Sequence, residues 1–223
     1  MEHEILYRPA YSLLEIRVEA GESVSAESGA MVSMSDSIDM ETSMKGGLMG
    51  SLKRKVMGGE SLFINTFTSK TGGTLTLAPP LPGDMTVLEL KGETVFVQSG
   101  SYIASTEGIE VDTKFGGGKT FFSREGLFLL KISGTGKVFL SSYGAIHEVS
   151  LEAGEKYKVD TGHMVSFPEG VGYDVKRVGG LKSSLLSGEG LVVELTGPGK
   201  ITIQSRSESS FLSWLLPKLP KSR

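Results

Sequence analysis

Gly116-Gly117-Gly118-Lys119-Thr120 closes on the Gly-Lys-Thr of a phosphate-binding loop, in which glycine amides and a lysine cradle a phosphate. That loop needs a glycine five residues before Gly118, and Thr113 stands there. Double glycines recur at Gly46-Gly47 and Gly179-Gly180 without the Lys-Thr, so the glycines read as structural turns. His3-Glu4 and His147-Glu148 begin a zinc-protease pattern, but its second histidine would fall on Tyr7 and Leu151. Gly-x-Ser-x-Gly, the turn that presents a nucleophilic serine, does not occur. Glu41, Asp112 and Asp174 could together hold a hard cation. Strand alternation instead points Met40, Val111 and Tyr173 inward and leaves the three acids in water. The chain is therefore read as non-enzymatic, with no catalytic residue, metal or cofactor assigned.

Composition bounds what such a chain can be. Its 223 residues are 39% hydrophobic and 22% charged, a globular balance, and one all-β domain of 1–223 accommodates that length. The net charge of −3 gives no global field for polyanions, so nucleic acid is not an expected partner. The absence of cysteine excludes disulfides and thiolate metal sites and fits a reducing compartment. An acidic start, Met1-Glu2-His3-Glu4, lacks the basic and apolar regions of an export signal, and no apolar run is long enough to span a bilayer as a helix. A cytoplasmic location, with peripheral membrane contact left open, is the expectation.

The elements that must position any site come from an internal repeat. Gly21-Glu22, Glu27 to Val32, Ile38 to Glu41 and Gly46-Gly47 align with Gly92-Glu93, Gln98 to Ile103, Ile109 to Asp112 and Gly116-Gly117. Gly154-Glu155, Asp160 to Val165, Val171 to Asp174 and Gly179-Gly180 form the third copy. Each Gly-Glu pair starts eight residues before a central glycine, Gly29, Gly100 or Gly162. The three copies cover approximately 10–80, 81–145 and 146–205, and 206–223 is a C-terminal tail. Period-two alternation makes the copies β units. Continuous apolar runs at 62–64, 127–132 and 191–193 read as strands buried on both faces. Lys70 to Gly73, Gly134 to Gly136 and Gly197 to Gly199 read as turns. Short helices are expected only near 48–57 and 209–216. A single unit cannot bury its apolar face alone, so the fold class is all-β, with three divergent β-repeats in pseudo-threefold arrangement.

The segments after the double glycines are the candidate interaction surface. Leu48, Met49 and Leu52 are mixed with the basic triplet Lys53, Arg54 and Lys55, as in a short membrane-surface or partner-docking helix. Phe121 and Phe122 follow in the second copy and Leu185 and Leu186 in the third. Gathered at one end, they would form an apolar contact patch; capping the core is the preferred alternative. Trp214 lies in an apolar stretch, Phe211 to Leu216, that ends in prolines and lysines, a composition suited to a bilayer interface or to docking on a neighbouring subunit or its own sheet.

Glu27 to Val32, the glycine-rich stretch from Gly46 to Glu60, Gly59 to Phe63, and Leu77 to Gly83 together resemble the mitochondrial-biogenesis (altered inheritance of mitochondria) family over nearly the whole chain. The resemblance implies a fold of the double-stranded β-helix type, like the tryptophan RNA-binding attenuation protein, and often an oligomeric assembly; the expected partner is a further copy of the chain, in a homo-oligomer with a trimer weakly favoured. It supplies no catalytic residues to carry over. The expected function is a non-enzymatic oligomeric scaffold or interaction protein, peripheral to a membrane or a membrane complex. The alternatives are an RNA- or small-ligand-binding module using a groove between repeats, and a metal-dependent enzyme.

Overall fold

The computed structural model describes residues 1–44, 63–112, 121–122, 127–177 and 191–220. The N-terminal third contains β1 (Glu2–Leu6), β2 (Leu13–Val18), β3 (Ser23–Glu27), β4 (Met31–Met34), β5 (Ile38–Met44), β6 (Phe63–Ser69) and β7 (Gly73–Leu77). The middle third contains β8 (Met85–Gln98), β9 (Tyr102–Thr106), β10 (Ile109–Asp112), β11 (Phe121–Phe122) and β12 (Leu127–Ser141). The last contains β13 (Ile146–Leu151), β14 (Lys156–Asp160), β15 (Met164–Pro168), β16 (Gly172–Arg177), β17 (Leu191–Thr196) and β18 (Gly199–Gln204), followed by helix α1 (Glu208–Leu215). The fold is all-β; among the described residues the strands are accompanied only by α1 and short 3-10 turns, and the strand ladders are antiparallel.

Local chemistry explains the turns. Gly21, Gly92 and Gly154 have φ of 83°, 105° and 77°, a region in which only glycine avoids a Cβ clash. The glutamate after each folds back to occupy a main-chain donor. Glu22 accepts from the amide of Glu19 at 3.0 Å, Glu155 from that of Glu152 at 2.7 Å, and Glu93 from that of Lys91. The Gly-Glu pair is thus a turn device, in which the glycine supplies the conformation and the carboxylate satisfies a donor the ladder leaves free.

The pairings within the three segments run in parallel. In the first, β2 and β4 flank β7, and β3 and β5 flank β6. In the second, β8 runs along β12 for nearly its whole length, with β9 and β10 also on β12. In the third, β13 and β15 flank β18, and β14 and β16 flank β17. Segments are joined through β3–β9 and β8–β15. Among the described residues no strand pairing joins the third segment to the first.

The core follows the same order. One cluster, with Leu14, Ile16, Phe67 and Leu75, also takes in Met85, Ile103 and Phe139 of the second segment. A second, centred on Tyr102, Leu130 and Ile132, reaches Ile64 on one side and Val165 on the other. The third joins Met164, Phe167, Val193 and Ile201 to Phe96 and Leu127. Phe96, Phe167 and Tyr173 pack there with ring centroids 5.1 to 5.6 Å apart.

Three expectations are corrected. Gly134-Thr135-Gly136 is not a chain reversal but a bulge inside β12, where the register shifts between Ser133 and Thr135. A Cβ at Gly134 would strike the Gly108 carbonyl, so these glycines serve close backbone approach. Met40 is not buried: it shares a sheet face with buried Ile38 and Phe67, yet it is 44% exposed on β5, which among the described residues pairs only with β6. Phe63, read as part of a doubly buried run, is 41% exposed at the start of β6, whereas Ile64 is fully buried. Glu41, Asp112 and Asp174 are exposed, and Val111 and Tyr173 pack against the core as alternation required. The expected helix near 48–57 and the double glycines lie outside the described residues.

Candidate interaction site

Ser207 starts the site. Its backbone is extended, and its hydroxyl accepts from the Ser210 amide at 3.4 Å, capping α1. Glu208 places a carboxylate in the first turn, where the free amides of the helix favour negative charge. None of the residues of α1 is buried. The helix instead holds on by its edge. Phe211 meets Tyr143 edge to face with centroids 6.2 Å apart and stacks on Trp214 at 6.2 Å, and the Lys218 ammonium lies 5.2 Å from the Trp214 ring centre. Beyond α1, Pro217 shapes the 3-10 turn Leu216–Lys218. Trp214 and Leu216 are 59% and 60% exposed, and Phe211, Leu212 and Leu219 are exposed as well.

Beneath the helix lies a cleft of about 310 Å³, formed where the 3-10 turns Ser99–Ser101 and Thr161–His163 meet the Pro79-Pro80-Leu81 stretch and Ser141 to Tyr143. Asp160 accepts from the Gly162 amide at 2.8 Å. The Gln204 amide group donates to the Gly162 carbonyl at 2.9 Å and accepts from the Tyr143 amide at 2.8 Å. The Gln204 carbonyl accepts from Nδ1 of His163 at 2.8 Å, which places that ring's proton on Nδ1. Gly162 has no room for a side chain, since a Cβ would press on the Ser207 hydroxyl. These bonds fix the Thr161–His163 turn against Gln204 of β18 and against Tyr143. Glu208 is the only formally charged side chain in the lining.

Burial, followed by the nearby Lys137 charge, pushes His3 below its usual range, and its Nδ1 accepts from Lys137 at 3.2 Å. Among the described residues no three His, Asp or Glu side chains form a metal-binding group, and no helix is long and apolar enough to cross a membrane.

Of the residues singled out from sequence, Trp214 is the one whose side chain is described, and it is solvent-facing beside Phe211 and Lys218. Phe121 and Phe122 form β11, opposite Phe128 and Leu127 of β12. Leu48, Met49, Leu52, Lys53, Arg54, Lys55, Leu185 and Leu186 lie outside the described residues. Sequence reasoning missed the exposed row Met31, Val32 and Met34 on β4, together with exposed Met40 on β5 and Phe63 on β6. No sequence signal marked it: β4 aligns with β9 and β15, which are buried, and only the structure shows that it is exposed.

Comparison with known proteins places this architecture. The chain is 30% identical over 220 residues to an uncharacterized protein of Streptococcus pyogenes serotype M6, covering 95% of this chain and 88% of that protein. An X-ray crystal structure of a Streptococcus pyogenes protein superposes with a TM-score of 0.81 at 29% identity, covering 98% of this chain and 99% of the other. The model of the mitochondrial biogenesis AIM24 family matches residues 3–206, and with sheets, core and match coinciding over nearly its whole length, the chain belongs to that family.

Proposed function

We propose that the protein is a non-catalytic, self-assembling scaffold that reaches a membrane surface through its C-terminal segment. The observation that carries this reading is the exposure of Phe211, Leu212, Trp214, Leu216 and Leu219 on one short segment that contributes nothing to the core. Apolar side chains with a tryptophan beside a lysine suit the interface of a bilayer, where the rings bury and the ammonium stays with the headgroups. Lys218 already sits against Trp214, so the pair needs no rearrangement to lie flat on such a surface. Flotation with vesicles containing anionic lipid tests the reading. The full chain is expected to rise with the vesicles, and a Trp214→Ser, Leu216→Ser, Leu219→Ser variant to stay below; a wild type that stays below refutes membrane contact.

The cleft favours a second reading, capture of a small ligand. Its hydroxyls and amides would suit a neutral polar molecule, and the lone Glu208 carboxylate disfavours an anion. Native mass spectrometry of the purified chain would reveal such a molecule as a mass that is lost on unfolding.

A further inference from the structure

The two junctions between segments share one register, measured from the central glycines. At the first, Ala26, Ser25 and Val24 face Ala104, Ser105 and Thr106. At the second, Val97, Phe96 and Val95 face Ser166, Phe167 and Pro168. In both, the residue three before one glycine faces the residue four after the next, and the match continues outward residue by residue. The second junction extends one step further, the Glu169 amide donating to the Thr94 carbonyl at 3.1 Å.

Applied a third time, the same rule leaves one strand of each kind over. β14 precedes the last central glycine and, among the described residues, pairs only with β17; β4 follows the first and pairs only with β7. Burial shows what β4 lacks. Tyr102 to Ser105 and Met164 to Phe167 are buried, whereas all four residues of β4 are exposed, Val32 at 57%. An open strand edge with apolar side chains is a template for another strand.

We infer that copies of this chain join head to tail, β4 of one pairing antiparallel with β14 of the next. This rests on the reading of the protein as a self-assembling scaffold and names the partner as a second copy. The shared register sets Ser33 opposite Val159, Met34 opposite Lys158, Ser35 opposite Tyr157 and Asp36 opposite Lys156. The last pair adds support: Asp36, in the turn after β4, and Lys156, whose ammonium reaches Glu194 at 3.5 Å, are both exposed and opposite in charge, and the shared register brings them across from each other, where such a pair stabilises a strand contact. The contact uses different surfaces on its two sides, so it propagates or closes into a ring instead of stopping at a symmetric dimer.

The chain has no cysteine, so an engineered pair gives a clean readout. Met34→Cys and Lys158→Cys each alter an exposed side chain and leave the core intact. Mild oxidation of the two variants mixed is expected to yield a disulfide-linked dimer, and each variant alone is expected to yield almost none. Sedimentation velocity of the full chain provides the second measurement. Asp36→Lys and Lys156→Glu are each expected to shift the protein toward monomer, and the two combined in one chain to restore association. Association without cross-linking of the mixed variants would overturn the inference and leave the scaffold reading standing. A wild-type chain that is monomeric at every concentration would overturn the inference and the self-assembling part of that reading together.

Discussion

Gly83 and Asp84 lie where the first segment hands over to the second, against Ser12 of the first and Ser142 and Gly144 at the end of the second. The Gly83 carbonyl accepts from the Ser12 amide at 3.1 Å, and Gly83 bridges Gly144 in the one parallel contact among the described residues. A Cβ at Gly83 would sit on the Ser142 carbonyl oxygen, a rigid backbone atom. Gly83→Ala is therefore expected to cost about 3 kcal/mol or more, read as a fall in the urea midpoint. Gly21→Ala is expected to cost only about 1 kcal/mol, because that site has a left-handed backbone with open space around it. Asp84 is held by two bonds from Arg8, at 2.7 and 2.9 Å, by the Ser12 hydroxyl at 3.2 Å and by the Met85 amide at 2.8 Å. Burial pushes this carboxyl up, but the Arg8 bond and the other donors outweigh it and hold the carboxyl below its usual range. A depressed folded value means the contribution is present above the unfolded value, about pH 4, and is lost as pH falls through the folded one. Asp84→Asn is expected to cost about 1 to 2 kcal/mol at neutral pH, discounted because Arg8 is half exposed. The difference in thermal midpoint from wild type should shrink in acid.

At the scale of elements, α1 stands or falls by its cap, since none of its residues is buried. Ser207→Ala is expected to cost about 1 kcal/mol of helix stability, seen as faster amide exchange in residues 208–215 with the global midpoint nearly unchanged. Sequence made α1 legible, because a compact apolar run bounded by serines and prolines has few other forms. It also made the Gly-Glu turns legible, because positive φ admits little but glycine. The central glycines, aligned as equivalents, proved to act differently. Gly29 has φ of 94° and open space around it, while Gly162 is fixed by the approach of Ser207, a contact made across 45 residues of chain. Gly134 was misread as a turn because a bulge and a turn both call for a glycine of positive φ. Met40 alternates correctly, yet alternation says only which way a side chain points and not whether anything packs there. The cleft was hidden from sequence because separate stretches, around Pro79, Ser101, Ser141, Thr161 and Gln204, meet only in the fold.

At the scale of the molecule, three cores in series share residues across two junctions, so each segment is stabilised by its neighbour. The all-β class and family were readable from alternation and motif. What the outer surface does was not, because the exposure of β4 and of the C-terminal segment depends on what packs beside them in three dimensions, and local alternation does not encode that. The apolar side chains left outside these cores are proposed contact surfaces, and Trp214 is both the residue proposed to meet the membrane and the chain's single tryptophan. Its fluorescence is therefore the most direct test. On titration with anionic vesicles, the account predicts a blue shift, quenching by lipid-borne quenchers, and a weaker response as salt is raised. An emission spectrum and quencher accessibility unchanged by vesicles would contradict it.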